Sequence, residues 1–117
     1  MRTRLLWTPQ AREDLLDIYV TIGLDNPAAA ERVYAALEEK ANLLIGYPRL
    51  GVRRSEIAPS ARMLVDGVYL LLYETHPDTD DGPVGEVEIV RVVHGHRDLT
   101  HTSSDRVRGA GLDFGVQ

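Results

Sequence analysis

The apolar residues change period along the chain. Arg4-Leu5-Leu6-Trp7 reads as a short opening strand. From Ala11 the apolar positions recur at Leu15, Ile18 and Ile22, a spacing that marks one face of a helix. Ala30, Val33, Leu37, Ala41 and Leu44 form a second such stripe. Each stripe carries a start signal, Thr8 before Pro9 and Asn26 before Pro27. A side-chain oxygen at the cap accepts from a free backbone N–H, and proline at the next position gives up a donor that had no partner. Gly23 and Gly46 stand where the helices should end, Gly46 as a C′ residue. A connection of about four residues makes the two helices antiparallel neighbours. Ala28, Ala29, Ala30, Ala35 and Ala36 let them approach closely.

Beyond the loop Tyr47-Pro48-Arg49-Leu50-Gly51 the segment to Ser60 has no clean period. Arg62–Val65 and Val68–Glu74 are strands around Asp66-Gly67, a dipeptide that predicts a type I′ hairpin. In the second strand Tyr69, Leu71 and Tyr73 alternate with Leu70 and Leu72. With both faces apolar, the strand is central or has one face waiting for a partner. An acidic turn follows (Asp78, Asp80, Asp81), then a last strand over 86–93. Strict alternation there sets Val87, Ile89, Arg91 and Val93 on one face and Glu88, Val90 and Val92 on the other. The predicted fold is α+β, in the order β-α-α-β-β-β, with the helical hairpin packed on a small antiparallel sheet. Residues 1–99 form the domain. Residues 100–117, rich in Thr, Ser, Gly, Asp and Arg, are a tail.

Composition narrows the function. One domain suffices for 117 residues. The absence of cysteine removes disulfides, thiolate nucleophiles and Cys-ligated metals. No apolar run reaches the length of a signal peptide or a membrane span, so a cytoplasmic protein is expected. The net charge is −5, and neither half of the chain is basic. Binding to RNA or DNA as the main ligand requires several cations on one face, so the composition argues against it.

The candidate chemistry is thin. His94-Gly95-His96 has the spacing of a zinc pair, yet no third ligand motif accompanies it, and a strand-end turn is the better reading. Ser55, Ser60, Ser103 and Ser104 lack the context of a nucleophile elbow. Glu13, Asp14 and Asp17 on the first helix read as a solvated face. Metal-free RNA cleavage would need Arg62, Arg91, Arg97 and Tyr69 or Tyr73 gathered around a phosphate. Salt-bridged arginines and core tyrosines account for the same residues more simply. No cofactor is expected.

The motifs together carry a resemblance. The segment Trp7 to Ile18 resembles the first helix of ParE toxins, in the RelE/ParE superfamily. Asp25-Asn26-Pro27-Ala28-Ala29-Ala30 is similar to the start of their second helix, and Pro48-Arg49-Leu50-Gly51 to their "P-R-L-G" loop. Tyr69 to Tyr73, and Ile89 to Asp98 with its His-Gly-His-Arg-Asp ending, resemble their closing strands. The match spans roughly residues 5–99. The resemblance implies a type II toxin–antitoxin system, a ParD-like antitoxin partner in a hetero-oligomer, and DNA gyrase as the target. The ribonucleases of the superfamily, which cut mRNA on the ribosome, are basic. Of their set, Arg62 and Arg97 fill comparable places, while the central-strand arginine is replaced at about Tyr69 and the later tyrosine at about Ser103. The resemblance therefore points to a non-enzymatic ParE toxin. On this reading the antitoxin covers Arg62, Tyr69, Leu71, Tyr73 and Arg91, and the target meets His94, His96 and Arg97. The acidic loop at 78–81 is longer than the family pattern.

Overall fold

The computed structural model describes residues 2–95. Strand β1 (Arg4–Trp7) leads into α1 (Pro9–Gly23) and α2 (Pro27–Gly46). Four strands follow: β2 (Val52–Arg53), β3 (Arg62–Asp66), β4 (Tyr69–His76) and β5 (Glu86–His94). The anticipated tail lies outside the described residues.

Both helices begin as their sequences predict. Thr8 Oγ1 accepts the Ala11 N–H at 3.0 Å, and Asn26 Oδ1 accepts the Ala29 N–H at 3.0 Å. Gly46 differs from expectation: it is the last helical residue, and Tyr47 caps the helix with its N–H on Leu43 O at 2.9 Å. The hairpin loop is also displaced by one residue. Asp66 pairs with Tyr69, so the loop is Gly67-Val68, with Gly67 at φ 63° in the first position. Glycine first is the order of a type II′ loop.

The sheet runs β1-β5-β4-β3-β2 and is mixed rather than wholly antiparallel, because β1 and β5 run parallel. Chain direction explains this. The helical hairpin brings the chain back to the end of the sheet where β1 finished, so β2 starts there and runs opposite to β1. Three antiparallel steps later, β5 again has the direction of β1.

The strand β4 is central, and both of its faces are covered. Leu71 and Tyr73 join Leu64, Val87, Ile89 and Val92 under the helices, packed on Leu15, Leu37 and Leu44. Each such side chain contributes about 1.5–3 kcal/mol on burial. Leu70 and Leu72 face away from the helices into a second cluster with Ala58, Ala61 and Val93, closed by Ile57 and Met63. The aperiodic segment before Ser60 supplies this cover, so that face is not waiting for a partner.

Strict alternation fails in β5. Val87 and Ile89 share the helix-side cluster with Val92, whereas Val90 and Val93 belong to the opposite one. Across from β4 the register steps from Leu72↔Arg91 to Tyr73↔Ile89, leaving Val90 as an extra residue. One bulged residue turns every later side chain to the other face.

Candidate functional site

Among the described residues, the arginines and tyrosines singled out above fall into two polar clusters and one apolar cleft. The first cluster is built on the Pro-Arg-Leu-Gly loop. The buried Tyr73 hydroxyl donates to Pro48 O at 2.9 Å and accepts the Gly51 N–H at 2.8 Å. Burial pushes the phenol pKa up, against smaller opposing effects of the Gly51 N–H and the Arg62 charge. The loop lies so close that a Cβ on Gly51 would sit 2.6 Å from Tyr73 Cε1 and 2.7 Å from Met63 O. Only glycine fits there.

Arg62, on β3, is buried beside this loop. Its Nη1 donates to Gly51 O at 3.3 Å and its Nη2 to Asp80 Oδ1 at 3.2 Å, while Nε has no partner. Arg53, on β2, donates through Nε to the same Asp80 oxygen at 3.1 Å. Its Nη2 reaches Asp78 at 3.0 Å and Asp80 at 3.1 Å. Hydrogen bonding and charge from Arg53, with a lesser share from Arg62, hold the Asp80 carboxyl below the usual carboxylate range. The acidic loop is fastened separately. Arg49 donates to Thr79 O at 2.9 Å, to Thr79 Oγ1 at 3.1 Å and to Gly82 O at 2.8 Å.

The second cluster ties α1 to the β5 bulge. Arg91 Nε donates to Asp14 Oδ2 at 2.6 Å and Nη2 to Oδ1 at 2.9 Å, a bidentate pair. Asp14 Oδ2 also accepts the Val92 N–H at 2.9 Å, and Gln10 donates to Oδ1 at 3.3 Å. Thr8 Oγ1 donates to Val90 O at 3.0 Å. The bulge frees backbone groups of β5 from the ladder, and the N-cap and second turn of α1 satisfy them through Thr8 and Asp14. Asp14 is therefore buried, contrary to its reading as part of a solvated face. Its position gave the signal: it falls on the same helical face as Ala11, Leu15 and Ile18.

The apolar cleft, about 300 Å³, lies between α2 and the β3–β4 hairpin and is lined by Arg32, Val33, Ala36, Val68 and Tyr69 among others. Leu43 and Val68 are exposed apolar side chains on this side, and Val65 is exposed on the opposite face of β3 from Leu64. Beyond the cleft the outer edge of β3 is open: β2 pairs with Arg62 and Met63 alone, leaving Leu64–Asp66 paired to β4 on one side and without a strand on the other among the described residues.

The residues singled out in the sequence thus separate. Tyr69 is half-buried at the cleft and meets the His94 ring edge-on, with centroids 5.6 Å apart. Leu71 and Tyr73 lie in the core and offer no surface to a partner while the helices stay in place. Arg62 and Arg91 are drawn into the two different clusters. His96 and Arg97 lie outside the described residues. Sequence reasoning missed Arg53, Asp80 and Gly51 as a connected set, because the loop at 77–85 returns to β2 only in three dimensions.

Two solved structures share the architecture. The chromosomal ParDE TA system from P. aeruginosa superposes with a TM-score of 0.64 at 22% identity, covering 79% of this chain and 95% of that one. The RelBE2 toxin–antitoxin complex from Mycobacterium tuberculosis gives a TM-score of 0.55 at 28% identity, covering 80% and 99%. The helical hairpin on a five-stranded mixed sheet is thus the fold of RelE- and ParE-type toxins. No curated protein matches the sequence. The model of the family described as the ParE toxin of the type II toxin–antitoxin system parDE matches residues 5–99, and the chain belongs to that family.

Proposed function

We propose that this ParE-family toxin inhibits DNA gyrase by protein–protein contact and is neutralised by a ParD-like antitoxin. The observation that carries the choice over RNA cleavage is the state of the arginines. Arg53 and Arg62 meet Asp78 and Asp80, and Arg91 meets Asp14. A phosphate-cleaving site needs preorganised cations aimed at developing charge, and here these charges are spent within the chain. The net charge of −5 works in the same direction.

The antitoxin takes the apolar cleft and the open β3 edge. Val65 and Val68 are exposed there, and an incoming strand finds unpaired backbone groups beside them. The two solved neighbours are toxin–antitoxin systems, which supports a partner of this kind. No helix of the described residues is long and apolar enough to cross a membrane.

The test is a supercoiling assay with purified gyrase. The toxin should inhibit it, and the antitoxin should restore activity for wild type but not for Val68→Asp, whose exposed site leaves folding intact. Normal supercoiling together with mRNA cleavage on ribosomes would overturn this reading in favour of a RelE-like endonuclease.

A further inference from the structure

The Arg53–Arg62 pair has the features of a receptor whose present occupant is replaceable. A single oxygen, Asp80 Oδ1, takes hydrogen bonds from Arg53 Nε at 3.1 Å and from Arg62 Nη2 at 3.2 Å. The two ends of this contact differ in burial: the Arg62 side chain is 6% exposed and the Asp80 side chain 81%. The fixed partner is the guanidinium, held within the fold by Gly51 O. The carboxylate comes from the solvent side.

The buried guanidinium is also poorly satisfied. Charge-assisted N–H···O bonds run about 2.7–2.9 Å. Arg91 meets that standard at 2.6 and 2.9 Å, while both contacts of Arg62 exceed 3.1 Å and its Nε has none. A buried guanidinium with long contacts and a bare Nε is under-satisfied, so the site gains from any anion that meets its outer Nη2 at closer range than Asp80 does. Nor does the loop depend on its acids for its position. Arg49 holds it through Thr79 and Gly82, leaving Asp78 and Asp80 free to turn outward.

We propose that the Arg53–Arg62 pair is a docking site for an acidic side chain of a protein partner, with Asp80 as its internal stand-in in the free chain. The proposal rests on the reading of the chain as a protein-binding toxin and deepens it. Two observations select a carboxylate on a polypeptide. The present occupant is a carboxylate. The flanking residues Leu50 and Val52 are exposed and apolar, as a peptide-binding surface requires. Asp80 then acts as a competitor. Where it fills the site in about nine-tenths of molecules, an incoming acid binds about tenfold more weakly than to an empty site.

The experiment is fluorescence anisotropy with a labelled decapeptide of alternating Glu and Val, and with a labelled single-stranded RNA decamer as the contrasting probe. Asp78→Asn/Asp80→Asn should bind the peptide about tenfold more tightly than wild type. Adding Arg53→Gln should abolish the gain. Asp25→Asn/Glu39→Gln changes the net charge equally on the exposed helical side and should give no gain. In wild type, Arg53→Gln alone should weaken the residual peptide binding, an arm that needs no change to the acidic loop. No gain in the Asn variant, an equal gain in the charge control, a gain for RNA instead of peptide, or wild-type binding indifferent to Arg53→Gln would each overturn the proposal. Since neither gyrase nor antitoxin is present, its failure is distinguishable from failure of the toxin reading.

Discussion

Two arginines on either side of the central strand, Arg62 buried and Arg91 largely so, are treated in opposite ways. Arg91 has a bidentate carboxylate at short distance, and that carboxylate is itself buried and receives a backbone N–H and a glutamine. Arg62 has two long contacts, a bare Nε and a partner that is mostly in water. The Asp14–Arg91 clasp joins the first helix to the last strand, and its groups have little spare capacity. The Arg62 cluster joins a core position to a surface loop and leaves capacity unused. A buried charge with complete partners belongs to the architecture. One with incomplete partners at the surface end is where a ligand gains most.

Three measurements press on this contrast, beginning with the largest effect. Arg91→Met should cost about 3–5 kcal/mol in urea unfolding, because it strands the Asp14 carboxylate inside the protein. A loss under about 1 kcal/mol would mean that Asp14 reaches water and that the clasp is not closed. Arg62→Met should cost no more than about 1 kcal/mol, since an apolar chain of similar length fills the space and the abandoned Asp80 is exposed and keeps Arg53. If the two substitutions cost the same, the distinction between the clusters fails.

The smallest effect is a pH dependence. Arg53 and Arg62 lower the folded-state pKa of Asp80. The stabilisation is therefore complete above the ordinary carboxylate value of about 4 and is lost as pH falls through the lower, folded-state value. The gap in melting temperature between wild type and Asp80→Asn should be constant from pH 7 to about pH 5 and close towards pH 3. Glu56, held low by its own backbone and by Arg54, adds a loss of the same sign in both proteins, so the gap rather than either curve carries the result. A gap that widens in acid would refute the ion-pair assignment.

Much of the architecture was legible beforehand, for local reasons. Thr8-Pro9 and Asn26-Pro27 are chemical signals read within four residues, and both caps form as anticipated. The family resemblance sat on those same junctions. What escaped was non-local. The Val90 bulge reversed the faces of Val92 and Val93, and no turn residue marks it, because its cause lies in the Thr8 and Asp14 side chains about 80 residues earlier. The parallel β1–β5 pair followed from counting reversals, which a reading of strands one at a time does not do. At the candidate site, Arg62 was recognised but its partner was not: Asp80 reads as one member of an acidic turn until the loop is folded back against β2. Leu71 and Tyr73 were assigned to a surface because their alternation identified a face without telling which layer covered it.

The pairing of β1 with β5 has a consequence for how the toxin is made. The strand that both β1 and β4 need as a neighbour is the last described element of the chain. A ribosome adding about 5–20 residues per second makes both helices and four strands before Glu86–His94 exists to join them. Until then Asp14 has no arginine and Trp7 no neighbouring strand. The five-stranded sheet is thus incomplete for most of the synthesis of the described residues, and its two halves are joined only as β5 emerges.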